Sequence, residues 1–351
     1  MLLILTFSLA LLLSLYGVPL ARGVALKHGI VDSPDGRLKH QREPVPYLGG
    51  LAIYLAFLVS LAFTFEFRQG VLGIMLAATL MVMLGLIDDF GVLSVGTKLV
   101  GQCLAIFVLI KSGIRIQIAA FPEWIDLLLT VVWMLGITNA FNLLDIMDGL
   151  AAGVGLVCTA FLLVVAMLNG DTAVAFMVTA LAGGLLGFLR YNFHPARIYM
   201  GDCGALFLGM MVGALSMIGQ YGGRHQVGLL TPLFILAVPI FDTLFVMYVR
   251  AERGMPVLRG SPDHLALRLK RWGVAVPHIV IGMYVAAALL GMVGLIVMSV
   301  QQDLAIVWVG SAVVCLVIAA LVLKRLDGSV AATSVSQPAA GPARRERRSR
   351  A

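Results

Sequence analysis

The stretch Trp124–Gly149 reads WIDLLLTVVWMLGITNAFNLLDIMDG. Its first part is an apolar run of the kind that lies in hydrocarbon. Its second part sets Asn139, Asn142, Asp145 and Asp148 at a strict spacing of three. The whole chain repeats the first theme: 60% of its 351 residues are hydrophobic and only 12% charged, against roughly 45–50% apolar in soluble domains. The excess falls in blocks of about twenty residues, the length a helix needs to cross a ~30 Å hydrocarbon core. Blocks that are apolar on every side cannot all be the inside of one soluble core, because no polar face remains for water. The expected fold class is therefore an all-α integral membrane protein.

Apolar runs between charged or Gly/Pro-rich breaks predict about eleven transmembrane helices, near 1–21, 47–66, 70–88, 98–113, 123–143, 150–168, 172–190, 203–220, 228–249, 276–300 and 303–323. The first run, MLLILTFSLALLLSLYG, has no basic leading segment and reads as a retained span rather than a signal peptide. All but four of the 25 Lys and Arg (Arg68, Lys111, Arg115 and Arg224) fall in the loops after odd-numbered spans or in the C-terminal tail. Basic residues near span ends mark the cytoplasmic side, which predicts an N-terminus outside and a cytoplasmic C-terminus. Residues 1–325 form the membrane domain. Residues 326–351, rich in Ala, Ser, Pro and Gly and ending in ARRERRSRA, read as a disordered basic tail drawn to anionic lipid. Cys103, Cys158, Cys203 and Cys315 stand singly, with no CxxC pair to suggest zinc or a disulfide framework.

With that topology the acidic residues collect on one side. Asp88 and Asp89 end the third span, Asp145 and Asp148 follow the fifth, and Asp202 precedes the eighth in YMGDCG. Carboxylates beside a membrane are costly, and two adjacent ones add mutual repulsion. A bound hard cation relieves both, and Mg²⁺ takes one or two carboxylates plus substrate phosphates and water. Lys98 and the loop Arg250–Arg271, with six basic residues and His264, supply the complement for phosphate. Asp242, before Arg250, reads either as a site group or as a structural partner of a basic group. The residues alone lead to phosphoryl transfer at the membrane surface.

GLIDDFGVLSVGTKLVGQ, NAFNLLDIMDGLAAG and YMGDCGALFLG, in this order, resemble the polyprenyl-phosphate N-acetylhexosamine-1-phosphate transferases, which include the phospho-MurNAc-pentapeptide transferases. Pro44-Val45-Pro46 and Gly49-Gly50 fit the same pattern. The resemblance spans roughly 1–325 and implies transfer from a UDP-N-acetylhexosamine to undecaprenyl phosphate, releasing UMP, with Mg²⁺ (or Mn²⁺) as cofactor. It implies Asp202 and Asn142 at the metal, Asp148 and Tyr199 at the uracil, and Lys98 at the diphosphate. Asp88, Asp89 and Asp145 stand as catalytic residues, and His264 and Arg268 as substrate-binding residues. The base role is discounted for Asp88 and Asp89, since a phosphate with a second pKa near 6 is already ionised; positioning and charge neutralisation then dominate. The implied setting is the bacterial inner membrane, with the active site cytoplasmic, a cell-envelope polysaccharide as end product, a possible homodimer and no nucleic-acid partner.

Groups three apart precess by about 60° per step on an α-helix, so Asn139 and Asp148 would point in opposite directions on a continuous one. The helix is therefore expected to end or tighten around Asn142–Asp145, with Gly149 permitting the turn. An EF-hand reading of DIMDG fails for want of the alternating ligands and distal Glu. The ninth loop departs from the resemblance: where relatives read much like HxHH, this chain has RGSPDHLALRLKRWG, with His264 kept and Ala266 and Leu267 in the later positions. That stretch is expected as a surface helix, and it leaves the sugar open. The rival class, a secondary transporter, would place its carboxylates near the midplane within internal repeats; here they sit at one face and no repeat is seen.

Overall fold

The computed structural model describes residues 1–32, 44–65, 69–91, 93–256 and 263–335. Arg37, Lys39, Arg42, Arg68, Arg259 and the tail beyond 335 lie outside them. The chain folds as helices: α1 (Leu2–Lys27), α2 (Gly49–Thr64), α3 (Gln69–Phe90), α4 (Val95–Lys111), α5 (Glu123–Leu144), α6 (Leu150–Asn169), α7 (Thr172–Asn192) and α8 (Gly201–Ile218). A 3₁₀ turn (Gln226–Leu230) leads to α9 (Thr231–Ile235), α10 (Ala237–Glu252), α11 (Leu265–Arg271), α12 (Val276–Ser299) and α13 (Gln302–Val335), which runs past residue 326. The one departure from all-helix among the described residues is a two-residue antiparallel pairing of β1 (Val31–Asp32) with β2 (Val45–Pro46).

Eight helices are long and apolar enough to cross a membrane, or nine with the bent α9–α10 unit as one span. The eleven expected segments are all helical; α2 and α4, with 16 and 17 residues, are the short ones. The segment 228–249, expected as one span, bends by 77°. Pro239 explains the break: it has no N–H to give the carbonyl of Ile235, and its ring would clash there. That carbonyl instead accepts from Cys158 Sγ at 3.1 Å.

α8 is the centre of the bundle. It packs against α3, α5, α2 and α6, and 78% of its apolar window is buried, against 6% for α13 at the periphery. Small residues let its neighbours come to backbone contact, the usual device for packing helices in lipid. A Cβ at Gly50 of α2 would lie 2.2 Å from Gly204 Cα, and one at Gly85 of α3 would lie 2.4 Å from Cys203 Cα. Both approaches occur in the first turn of α8, so the end of α3 and the start of α2 are drawn to Asp202.

Candidate active site

Four helix ends meet here: the last turn of α3, the first of α4, the last of α5 and the first of α8. Lys98 joins them. Its Nζ lies 2.8 Å from Asp88 Oδ2 and 2.5 Å from Asp202 Oδ2, and it donates to Asn142 Oδ1 at 3.1 Å. Asn142 Nδ2 donates to Asp202 Oδ1 at 2.7 Å, closing the circuit. Asp88 also accepts from Leu93 N at 3.2 Å, which fixes the turn out of α3. One turn deeper, Gln102 and Asn139 exchange amide hydrogen bonds of 3.2 and 2.8 Å. Asn139, the innermost member of the spaced-by-three series, therefore ties α5 to α4. α5 stops at Leu144 with Asp145 as its cap, and Gly149 turns at φ +77° to open α6, so the helix ends where the spacing required.

Asp89 faces a different partner. Its two oxygens accept from the backbone N–H of Asp202 at 2.8 Å and of Cys203 at 3.1 Å. It thus caps α8 from a neighbouring helix, satisfying N–H groups that have no partner within α8 and complementing its dipole. Gly201, at φ +71°, leaves room for it: a Cβ there would meet Asp89 Oδ2 at 2.7 Å.

Asp148 is held by the loop between α7 and α8: His194 Nδ1 at 2.7 Å and Ala196 N at 3.0 Å both reach Oδ2. Tyr199 lies in the same loop and pairs by its backbone with Pro46 and Gly49. Burial, then the charges of Asp148, Asp32 and Asp145, push its hydroxyl up to about 12, so it stays neutral. Tyr47 donates to Asp32 at 2.8 Å, and its hydroxyl is pushed up by burial and by Asp32, with Asp89 and Asp202 adding to the effect.

Asp145 makes no hydrogen bond among the described residues. Burial, then the charges of Asp202, Asp89 and Asp148, push its carboxyl up from 3.8 to about 7. The folded state then keeps a proton that the unfolded chain has released, so ionised Asp145 destabilises the fold. That cost is absent below about pH 4 and complete above about pH 7. Asp145→Asn is expected to raise the unfolding midpoint in EDTA by an amount that grows across that window. Thermal unfolding in detergent at several pH values checks it, and a gain independent of pH would rule it out.

His264 and Arg268, expected as substrate-binding residues, are packed between α10 and α11 with 2% and 1% of their surface exposed. His264 Nδ1 pairs with Asp242 Oδ2 at 2.7 Å, and Leu265 N donates to Asp242 Oδ1 at 2.8 Å. Arg268 binds Asp263 and lies over the Phe245 ring at 5.0 Å. The alternation of leucines and basic residues suggested a helix with a solvated basic side. The seven-residue α11 instead tucks Arg268 inward, where Asp263 accepts from its Nε and Nη2 and the Phe245 ring lies against it. Asp242 is thereby a structural partner, of His264 rather than Arg250. Sequence reasoning missed Gln102, His194, Tyr47 and Asp32. Gln102 lies one turn past Lys98 and was findable by helical spacing. The others reach the site only through loop geometry.

The donor set fits Mg²⁺. Asp88 and Asp202 meet through the Lys98 ammonium, at 2.8 and 2.5 Å, so two like charges are held beside one cation. Two carboxylates thus share a single lysine. Among the described residues no three His, Cys, Asp or Glu side chains converge as a ready-made metal cage. Mg²⁺ sites commonly use one or two carboxylates completed by substrate phosphate and water.

Residues 71–220, which carry every one of these groups except Asp32, Tyr47 and the α10–α11 pair, match Glycosyl transferase family 4. The chain is 34% identical over 281 residues to the probable undecaprenyl-phosphate N-acetylglucosaminyl 1-phosphate transferase of Bacillus subtilis (strain 168), covering 78% of each chain. It is 33% identical over 302 residues to the decaprenyl-phosphate N-acetylglucosaminephosphotransferase of Mycolicibacterium smegmatis, covering 75% of this chain and 74% of that one. It is 31% identical to the phospho-N-acetylmuramoyl-pentapeptide-transferase of Halalkalibacterium halodurans, covering 77% of this chain and 89% of the other. With likeness of that extent, and with the matched stretch supplying the helix ends that meet at Lys98, the chain belongs to glycosyl transferase family 4.

Proposed function

We propose that this protein transfers an N-acetylhexosamine 1-phosphate from a UDP-sugar to undecaprenyl phosphate, giving the first lipid-linked intermediate of a cell-envelope polysaccharide. An oxygen of the lipid phosphate attacks the sugar-bearing phosphorus. A new P–O–P linkage forms, the bond to the bridging oxygen breaks, and UMP leaves with that oxygen. The nucleophile is already ionised near neutral pH, so no side chain has to remove a proton from it.

The observation that supports this reading is the Lys98 circuit, which gathers Asp88, Asn142 and Asp202 from three other helices. Asp202 and Asn142 would hold Mg²⁺, with Asp88 beside them. The ion supplies charge neutralisation for the diphosphate and the departing UMP. Lys98 binds the diphosphate as a point charge, Asp148 and Tyr199 hold the uracil, and Asp89 fixes the start of α8 and so the direction in which Asp202 points. The same reading takes the frame as eleven crossings, with the N-terminus outside and this site at the cytoplasmic face of the inner membrane.

The test is UMP release by the purified protein in detergent with undecaprenyl phosphate, Mg²⁺ and a panel of UDP-N-acetylhexosamines. Release that requires both lipid and Mg²⁺ is expected, and the active donor names the sugar. Release that does not depend on the lipid, or none with any donor, would overturn the assignment.

A further inference from the structure

Tyr284 stands on α12, outside the stretch 71–220 that carries the family match. Its hydroxyl nevertheless donates to the carbonyl of Gly149 at 2.5 Å. Its ring lies against the backbone of α6, where a Cβ on Gly153 would come within 1.9 Å of the ring Cζ. The other polar group of Gly149, its N–H, donates to Asn192 Oδ1 at 3.0 Å. Asn192 in turn donates from Nδ2 to the carbonyl of Ile198 at 3.0 Å. Both backbone groups of one residue are thus held from two separate parts of the chain. That residue follows Asp148 directly, and Asp148 is itself bound by His194 and Ala196.

We propose that Tyr284 is a positioning residue for the donor. It fixes the turn Asp145–Gly149, which carries Asp145 and Asp148, and so makes α12 part of the nucleotide end of the site. The inference rests on the functional reading above for the identity of the donor, and not for the brace itself. The Gly149 carbonyl also accepts the first α6 hydrogen bond, from Gly153 N at 3.0 Å. Removing the phenol hydroxyl therefore leaves no buried acceptor unpaired. The fold survives, and what is lost is the fixed direction of the turn.

Tyr284→Phe is expected to raise the KM for the UDP-sugar about fivefold to tenfold, the worth of one lost hydrogen bond, with the KM for undecaprenyl phosphate unchanged. Amide hydrogen exchange across 145–153 in the ligand-free protein is expected to quicken. Gly153→Ala displaces the ring and should act in the same direction, and the double variant should be no worse than Gly153→Ala alone, since both remove one contact. Unchanged exchange in Tyr284→Phe, or KM values that rise together for both substrates or for neither, would overturn the proposal. If the unaltered protein turns over no UDP-sugar, the functional reading fails, and the exchange comparison alone decides the brace.

Discussion

Asp202→Asn is expected to lower turnover by about 10³-fold or more while the protein stays folded in the membrane. The substitution keeps the size of the side chain and an oxygen for Asn142, which now donates to Asp202 Oδ1. It removes the charge facing Lys98 at 2.5 Å and places an amide that can donate near an ammonium that can itself only donate. Losing one charge-stabilising group in a preorganised site costs about 10²–10³ in rate, and the proposed role of Asp202 includes both the cation and the orientation of Lys98. UMP release measured across a Mg²⁺ titration checks this. Turnover that persists with unchanged Mg²⁺ dependence would remove Asp202 from the metal site.

The fold was legible because membrane helices announce themselves by length and apolarity. The eleven apolar segments correspond to helices, and even the break in 228–249 was written in the chain as Pro239. What hid it was the uniform hydropathy of VGLLTPLFILAVPIFDTLFVM, which gives an averaging window no boundary. The segments 47–66 and 98–113 were expected as crossings; as helices α2 and α4 have 16 and 17 residues, at the lower limit for the hydrocarbon thickness.

The site was legible where chemistry and helix ends coincide. Asp88, Lys98, Asn142 and Asp202 each sit in a terminal turn, and α8 collects those turns through glycine contacts. Asp89 shows the limit of that logic. A neighbouring pair of acids looks equivalent in sequence, yet on a helix they point about 100° apart. One therefore reaches Lys98 and the other the N–H groups of α8. The burial of His264 and Arg268 was hidden for a related reason. A charged residue near a loop is taken to be solvated, but partners on α10 and in the preceding turn let both be buried. Tyr284 had no signal at all: it is one aromatic in an apolar helix, and only the turn of Gly149 gives its hydroxyl a target.

Lys98→Ala should separate the two jobs of the lysine. Its side chain and that of Asp88 are 16% and 13% exposed, so that pair is largely shielded from water, while Asp202 is 34% exposed. Removing one partner of such a pair costs about 3–5 kcal/mol when burial is complete, and about half of that is expected at this exposure. The cost arises because Asp88 and Asp202 then face each other without a counter-charge. In EDTA the variant should unfold at a clearly lower temperature than the unaltered protein. Mg²⁺ should recover most of that difference, because a divalent cation neutralises the same two carboxylates. It should not recover activity, which is expected to stay about 10²–10³-fold down for want of the diphosphate contact. Unfolding midpoints with and without Mg²⁺, set beside UMP release in the same samples, make the comparison. A midpoint that Mg²⁺ leaves unmoved would mean that these acids do not bind the ion. Restored turnover would mean that the lysine serves only to hold the acids together until the cation arrives.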